Sequence, residues 1–525
     1  MAVGLMLVVA VLASGELLRS VSVSVNRRPR AKRLKYLHRI PRPAYMCALI
    51  AVLSATCWSL LTPPFQAPDE PSHFAYVQEL AQEQRLPNPR ADTRQDESFS
   101  QEEDTALADL RQTAVMWHPE VKATYTVAAA RRLQEDLSKP LSRDGPGWAG
   151  VASSEPPLYY GLATVPYLLG SKGTLLDRLE LVRLLSALMA GLTALFSFMF
   201  VREFLPGVPW AWTVGGLGVS MTPLLGFTSG VVTPDSMLAA VCAAICLCLA
   251  RAFRRGLTWR LAVVIGTLSA AGFATKVNFV GFAPGVVLGL VILGARSARA
   301  AERRTLKQAW GMPAVALAIA VSPVFAYVAY NLAVGHPTLG VVSSFIHLSS
   351  GRGSLLDKAT YVWDFYLPHL PGMTDYFPGL STPRELWFDR AVGLYGWLDT
   401  SFPGWVDTAA LLLAGIGVLL VLRTVGRSHK AARRRLSELA VYLTAALGIL
   451  VLIGTDSQLH RTVEGAGYAQ ARYLLPLIPL LAAALALAAR AGGRRWGPVV
   501  GTVIVVLFLA HDIFSQLLVV SRFYG

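Results

Sequence analysis

Apolar runs of about 20 residues recur along the chain, separated by short polar stretches, and a run of that length is what an α-helix needs to cross a bilayer. The pattern predicts eleven spanning helices, at residues 43–61, 179–201, 209–228, 234–250, 258–275, 277–295, 309–331, 406–422, 438–454, 472–489 and 498–520. The opening stretch MAVGLMLVVAVLASGELL is a candidate twelfth. It lacks a basic leader and a small-residue cleavage site, so it reads as an anchor with its N-terminus outside. The predicted fold is an all-α polytopic membrane protein, with about 11 transmembrane helices plus the N-terminal one. Its large extracytoplasmic loops are expected to carry amphipathic surface helices.

Composition agrees with this pattern. Of 525 residues 54% are hydrophobic and only 15% charged, against about 25% charged in a soluble protein. The formal charge of +15 points in a soluble protein to nucleic acid, but here the Lys and Arg residues concentrate in short loops, so no nucleic-acid partner is expected. Arg outweighs Lys and Ala is abundant, which suggests a GC-rich bacterial genome. All five cysteines lie in apolar runs, so neither disulfide nor metal is assigned to them.

The basic stretches at 27–39, 251–255, 296–307, 423–435 and 490–495 all fall on one side when the helices are counted, and that side is expected to be cytoplasmic. Three long segments then face outward: about 62–178, which includes the acidic QDESFSQEED; about 332–405, rich in aromatics; and 455–472. The chain divides into an apolar segment with a basic linker (1–42), a membrane module (43–331) containing the first outer loop (62–178), a second outer loop (332–405) and the C-terminal helices (406–525). The expected location is the cytoplasmic (plasma) membrane.

The candidate chemistry lies on the outer side. TPPFQAPDEPSHF places Asp69, Glu70 and His73 directly after the first long helix. Pro71 suits the first turn of a new helix, with one acid as its cap. Phe74, Val77, Leu80 and Ala81 then form an apolar stripe, so the helix is expected to lie on the membrane surface. Capping accounts for one carboxylate and leaves the second unexplained. Asp235 opens the 234–250 helix behind another proline, and Lys276 sits between two helices. Arg183 and Arg472 stand at helix starts on the same side, the latter followed by Tyr473 and preceded by Gln470. Glu155 lies among prolines and tyrosines in SSEPPLYYGL. GLYGWLDTSFPGW sets Tyr395 and other aromatics beside Asp399, either as a stacking platform for a sugar or prenyl chain or as an interfacial aromatic belt. A lone outer cation in apolar surroundings needs a partner or an anionic ligand. Acids facing isolated cations at a lipid–water boundary can deprotonate an acceptor hydroxyl while stabilising a lipid phosphate as leaving group.

An acidic motif after the first of many helices, opening a large outer loop, resembles the GT-C superfamily of integral-membrane glycosyltransferases. More narrowly, PPFQAPDEPSHF, TPDSM, GFATKVNF, GLYGWLD and QARYLLPLIP resemble an uncharacterised bacterial family of predicted membrane proteins associated with cell-surface polysaccharides. The D-E-P-x-H-F block is the most specific part, and the likeness runs over nearly all of the chain from about residue 43. The resemblance implies an inverting glycosyltransferase that moves a sugar from a polyprenyl-phosphate donor to a glycan or lipid acceptor of the cell envelope. Asp69 and Glu70 match the first-loop acids that act as general base or metal ligand. Lys276 and Arg472 are implied to contact the donor phosphate, with His73 and Asp235 supporting the site or binding acceptor. Many GT-C enzymes lack the following histidine, so a divalent cation (Mg or Mn) held by Asp69 and Glu70 stays open. The alternative reading is a transporter or flippase, or an assembly factor, for lipid-linked polysaccharide. Few mid-helix charges and no inverted repeat speak against the transporter.

Overall fold

A computed structural model describes residues 40–89, 99–122, 126–147, 149–299, 306–338, 354–464 and 470–525. The N-terminal apolar segment, its basic linker and residues 95–98 of the acidic stretch lie outside the described residues. The labelled helices are α1 (Arg42–Leu61), α2 (Glu70–Glu83), α3 (Leu158–Leu169), α4 (Leu175–Phe204), α5 (Pro209–Ser220), α6 (Pro223–Ser229), α7 (Asp235–Arg255), α8 (Trp259–Thr275), α9 (Phe279–Arg299), α10 (Leu306–Val334), α11 (Leu355–Tyr366), α12 (Gly404–Arg427), α13 (Leu436–Glu464), α14 (Ile478–Arg490) and α15 (Gly493–Phe523). The protein is an all-α polytopic membrane protein. Among the described residues, nine helices are long and apolar enough to cross a bilayer, and the strands amount to one two-residue pair, Leu394–Tyr395 with Thr400–Ser401.

Nine is fewer than the predicted eleven, for two physical reasons. The predicted 209–228 helix is broken into α5 and α6 at Met221–Thr222, because Pro223 cannot donate to the α5 ladder and instead opens α6. The predicted 258–275 helix forms as α8 but has only 17 residues. Elsewhere the helices outrun the apolar windows. α4 gains a first turn from a Thr174–Asp177 capping box, and α13 runs on to Glu464, through much of the predicted third loop.

α6 lies directly against α1, and a Cβ added to Gly226 would meet the Trp58 ring at 2.5 Å. The break therefore happens where protein, not lipid, surrounds the backbone, the condition under which irregular backbone is tolerated at such depth. α7 is the central helix, packed on α4, α8, α9 and the 3₁₀ turn Ala471–Leu477 that precedes α14. That packing brings the start of α7, the end of α8 and Arg472 to one place. α9 and α13 approach so closely that a Cβ on Gly448 would sit 2.1 Å from the Gly281 carbonyl oxygen, so only glycine fits. α12 is almost wholly unburied.

The first loop folds back over the helices rather than lying flat. α2 buries ten residues, Glu70 to Glu79, in place of the surface orientation expected from its apolar stripe. The surface helix of this loop is instead Val127–Leu137, which has no buried residue. From the acidic stretch, Glu102 is buried against Arg178, which also donates to the Tyr167 hydroxyl at 2.9 Å. Glu102 thereby ties the loop to the start of α4.

Candidate functional site

Asp69 and Glu70 are neighbours in sequence but diverge in space, because the backbone turns sharply between them. Asp69 adopts a left-handed conformation, φ 64°, and makes no side-chain cap to α2. Asp is among the few residues that tolerate this region, at a cost of about 1 kcal/mol. The capping explanation thus accounts for neither acid.

Glu70 points inward and is saturated. Arg183 donates to its two carboxylate oxygens at 2.8 and 2.6 Å, and the backbone N–H groups of Phe65 and Val232 donate at 3.0 Å each. Arg183 spends its remaining donors on the carbonyls of Ser59, Thr62 and Pro63. Both side chains are fully buried. This pair joins the end of α1, the start of α2, α4 and the strap before α7, so Glu70 is a strut. It has no lone pair left to serve as base or metal ligand. The two carboxylates expected to share a cation are each turned to a different arginine, Glu70 to Arg183 and Asp69 to Arg472.

Asp69 points outward, about a quarter exposed, and pairs with Arg472. Arg472 also donates to the Pro68 carbonyl at 3.2 Å and stands 3.7 Å from Asp235. Asp235 in turn accepts from Lys276 at 3.0 Å, and Lys276 lies 3.7 Å from Glu155. The Tyr473 ring sits beside both cations, its centroid 5.3 Å from the Lys276 ammonium and 5.5 Å from the Arg472 guanidinium. One connected cluster therefore unites Asp69, Glu155, Asp235, Lys276, Arg472 and Tyr473. Burial pulls the Lys276 ammonium down, but Asp235 and Glu155 outweigh it and hold the group above its ordinary range. Burial pushes the Glu155 carboxyl up, against the opposing pull of Lys276.

His73 is buried on α2. Its Nδ1 is 2.8 Å from the Tyr160 hydroxyl, and Nε2 has no hydrogen-bond partner. Burial, reinforced by Lys276 and Arg472, keeps the imidazole well below its usual range and hence neutral. Between that lowered value and about 6.5 the unfolded chain binds a proton that the folded one refuses, so this group's stabilisation is lost as pH falls through that window. His73→Gln is accordingly expected to flatten the drop in unfolding temperature between pH 7.5 and 5.5. A drop as steep as the parent's in a thermal-shift titration contradicts the assignment.

Beside the cluster opens a narrow cleft, lined by Pro68, Leu224, Phe227, Val231, Leu394 and Leu398 together with Thr228, Thr233, Gln470, Ala471, Arg390 and Arg472. An apolar wall with two guanidinium groups suits a ligand that is part hydrocarbon and part anion. Gln470 and Arg472, both singled out in the sequence, line it. Arg390 went unnoticed there, although the reasoning that flags Lys276, a cation on the predicted outer side, applies to it equally.

The GLYGWLD segment supports this cleft from behind. Tyr395 is buried, 4.9 Å from the Trp58 ring, and its hydroxyl donates to Ser515 at 2.9 Å, so it offers no stacking face to a sugar. Asp399 pairs with Arg522 at 3.2 Å and with Thr400. Neither joins the Asp69 cluster; only Leu394 and Leu398 of this segment reach the cleft.

Comparison with curated proteins and with solved structures returns no match. The sequence profile of a family described as a predicted membrane protein, DUF2142, matches residues 52–481, from within α1 to the start of α14 and across every residue of the cluster. The chain belongs to the DUF2142 family of predicted membrane proteins.

Proposed function

We propose that this protein is an inverting membrane glycosyltransferase using a polyprenyl-phosphate-linked sugar, with its site on the extracytoplasmic face of the plasma membrane. The observation that carries the reading is the sharing of Arg472 between Asp69 and the half-apolar cleft. In this reading the donor's prenyl chain lies along the Leu224–Phe227–Val231 wall, and Arg390 and Arg472, both in the same lining, take its phosphate. An arriving phosphate competes with Asp69 for the Arg472 guanidinium. That exchange frees the carboxylate at the moment a base is needed.

The transfer then balances simply. The acceptor hydroxyl oxygen attacks the anomeric carbon from the face opposite the phosphate, and the carbon–oxygen bond to the phosphate breaks with inversion. Asp69 takes the hydroxyl proton. The charge left on the polyprenyl phosphate falls to Arg472 and Arg390. Asp235, itself held by Lys276, keeps Arg472 in place, and neutral His73 lies buried behind the cluster on α2. Glu155, through Lys276 and its own contact with the Val277 N–H at 3.3 Å, fixes the loop between α8 and α9.

Arg390→Ala tests the phosphate assignment. In nanodisc-embedded protein it is expected to raise the KM for a polyprenyl-phosphate sugar by roughly tenfold or more, the loss of one charge-assisted hydrogen bond, with a smaller effect on fold. An unchanged KM removes Arg390 from the donor site. Movement of labelled lipid-linked sugar across the bilayer with no new glycosidic bond supports the transporter reading instead.

A further inference from the structure

We propose that the end of α11 and the loop that follows it to residue 377 carry a zinc site formed by Asp364, His369 and Asp375. One ligand atom from each of these three lies within 4.8 Å of the other two, and among the described residues they are the group of His, Cys, Asp and Glu side chains so placed. The site shares no residue with the Asp69 cleft.

The arrangement grows from the packing of α11. This helix begins with a Ser354–Asp357 capping box and docks on α13, where Tyr361 meets Ser457 at 2.8 Å and the Tyr366 hydroxyl donates to the Leu450 carbonyl at 2.7 Å. Asp364 is two residues before its end, on the buried side. The chain leaves at Leu367, loops out through His369 and Asp375, and returns, because the Tyr376 N–H donates to Asp364 Oδ2 at 2.8 Å. Tyr376 and Phe377 then pack their rings on Tyr361, 5.2 and 5.3 Å between centroids. Asp375 is itself braced, its Oδ1 accepting from the Phe377 N–H at 2.9 Å, which leaves Oδ2 for another partner.

A buried carboxylate, an exposed imidazole and an exposed carboxylate thus converge on a point that is open to water on one side. His369 Nδ1 and Asp364 Oδ1 stand 3.2 Å apart. Two ligands at about 2.0–2.1 Å from a tetrahedral ion lie about 3.3–3.4 Å from each other, so these two atoms already span one edge of a zinc polyhedron. A small rotation of the exposed Asp375 side chain supplies the third corner, and water the fourth. The donor set selects the metal: one nitrogen and two oxygens suit a borderline ion such as Zn²⁺, whereas Ca²⁺ takes about six to eight oxygens. Ligands drawn from the end of α11 and from the loop that returns to it make the ion a clasp for that loop.

The test uses full-length, untagged protein in detergent, stripped with chelator, reloaded with ZnCl₂ and desalted. Elemental analysis is expected to find about one zinc per chain, and the loaded protein should resist proteolysis around residues 367–377 more than the stripped one. His369→Ala and Asp375→Asn, both at exposed side chains, are expected to lose the metal and the protection while unfolding at the temperature of the zinc-stripped parent; Asp364 is left intact because it also holds Tyr376. Zinc retained by either variant, no zinc in the parent, or retention of Mn²⁺ or Ca²⁺ in place of zinc overturns the proposal.

Discussion

Asp69→Asn is expected to lower the rate of sugar transfer by roughly two to four orders of magnitude while leaving the protein folded, because it removes the proposed proton acceptor and little else. Three features of the site make this a clean substitution. Asn tolerates the left-handed backbone of position 69 as well as Asp does. The side chain is partly exposed, so no charge is stranded in the interior. Arg472 keeps its contacts with the Pro68 carbonyl and with Asp235, so the cation stays in place. Steady-state transfer by the purified variant, paired with its unfolding temperature, checks the prediction. Full activity removes Asp69 as the base.

The second large effect is the opposite kind. Arg183→Met is expected to cost about 3–5 kcal/mol of stability, enough to abolish accumulation of the folded protein at growth temperature, because Glu70 would be left buried and charged with no counterion. Three backbone carbonyls, those of Ser59, Thr62 and Pro63, lose their donor at the same time. Adding Glu70→Gln removes the stranded charge and should recover part of the loss. Glu70→Gln alone weakens the strut, yet each molecule that folds should retain transfer activity. The measurements are yield and unfolding temperature in detergent, with activity normalised to folded protein. An Arg183→Met protein as stable as the parent overturns the strut; an inactive but stable Glu70→Gln protein returns the catalytic role to Glu70.

These two predictions separate residues that the sequence presents as a pair. The apolar periodicity makes the membrane fold legible, and the loop charges make a one-sided cluster legible without reference to contacts. Arg472 meets Asp69, and Asp235, Lys276 and Glu155 follow it in a chain of contacts, because helix packing around α7 gathers three helix ends. The division of labour inside the DEP motif was not legible. It depends on one left-handed residue and on Arg183, 113 positions from Glu70, and no local pattern encodes either. The aromatic GLYGWLD segment misled for a related reason: composition shows rings, but not that Tyr395 is wedged against Trp58. The break at Pro223 is written in the sequence, inside a window whose hydropathy alone reads as one helix. The apolar stripe of α2 alone predicts a surface helix. α2 is buried because its polar residues Glu70, Gln78 and Glu79 also find polar partners within the protein.

The clasp at Asp364, His369 and Asp375 belongs with these long-range features. Its ligands are spread over twelve residues and converge only because the Tyr376 N–H returns to Asp364.

The central claim is that the protein adds a sugar to an envelope glycan or lipid through Asp69. Mass spectrometry of surface glycans tests it most directly, comparing cells that lack the gene with cells restored by the parent sequence or by Asp69→Asn at equal protein level. The account predicts one sugar residue missing in the deletion, restored by the parent and still missing with Asp69→Asn. A glycan profile identical in all three strains would contradict it.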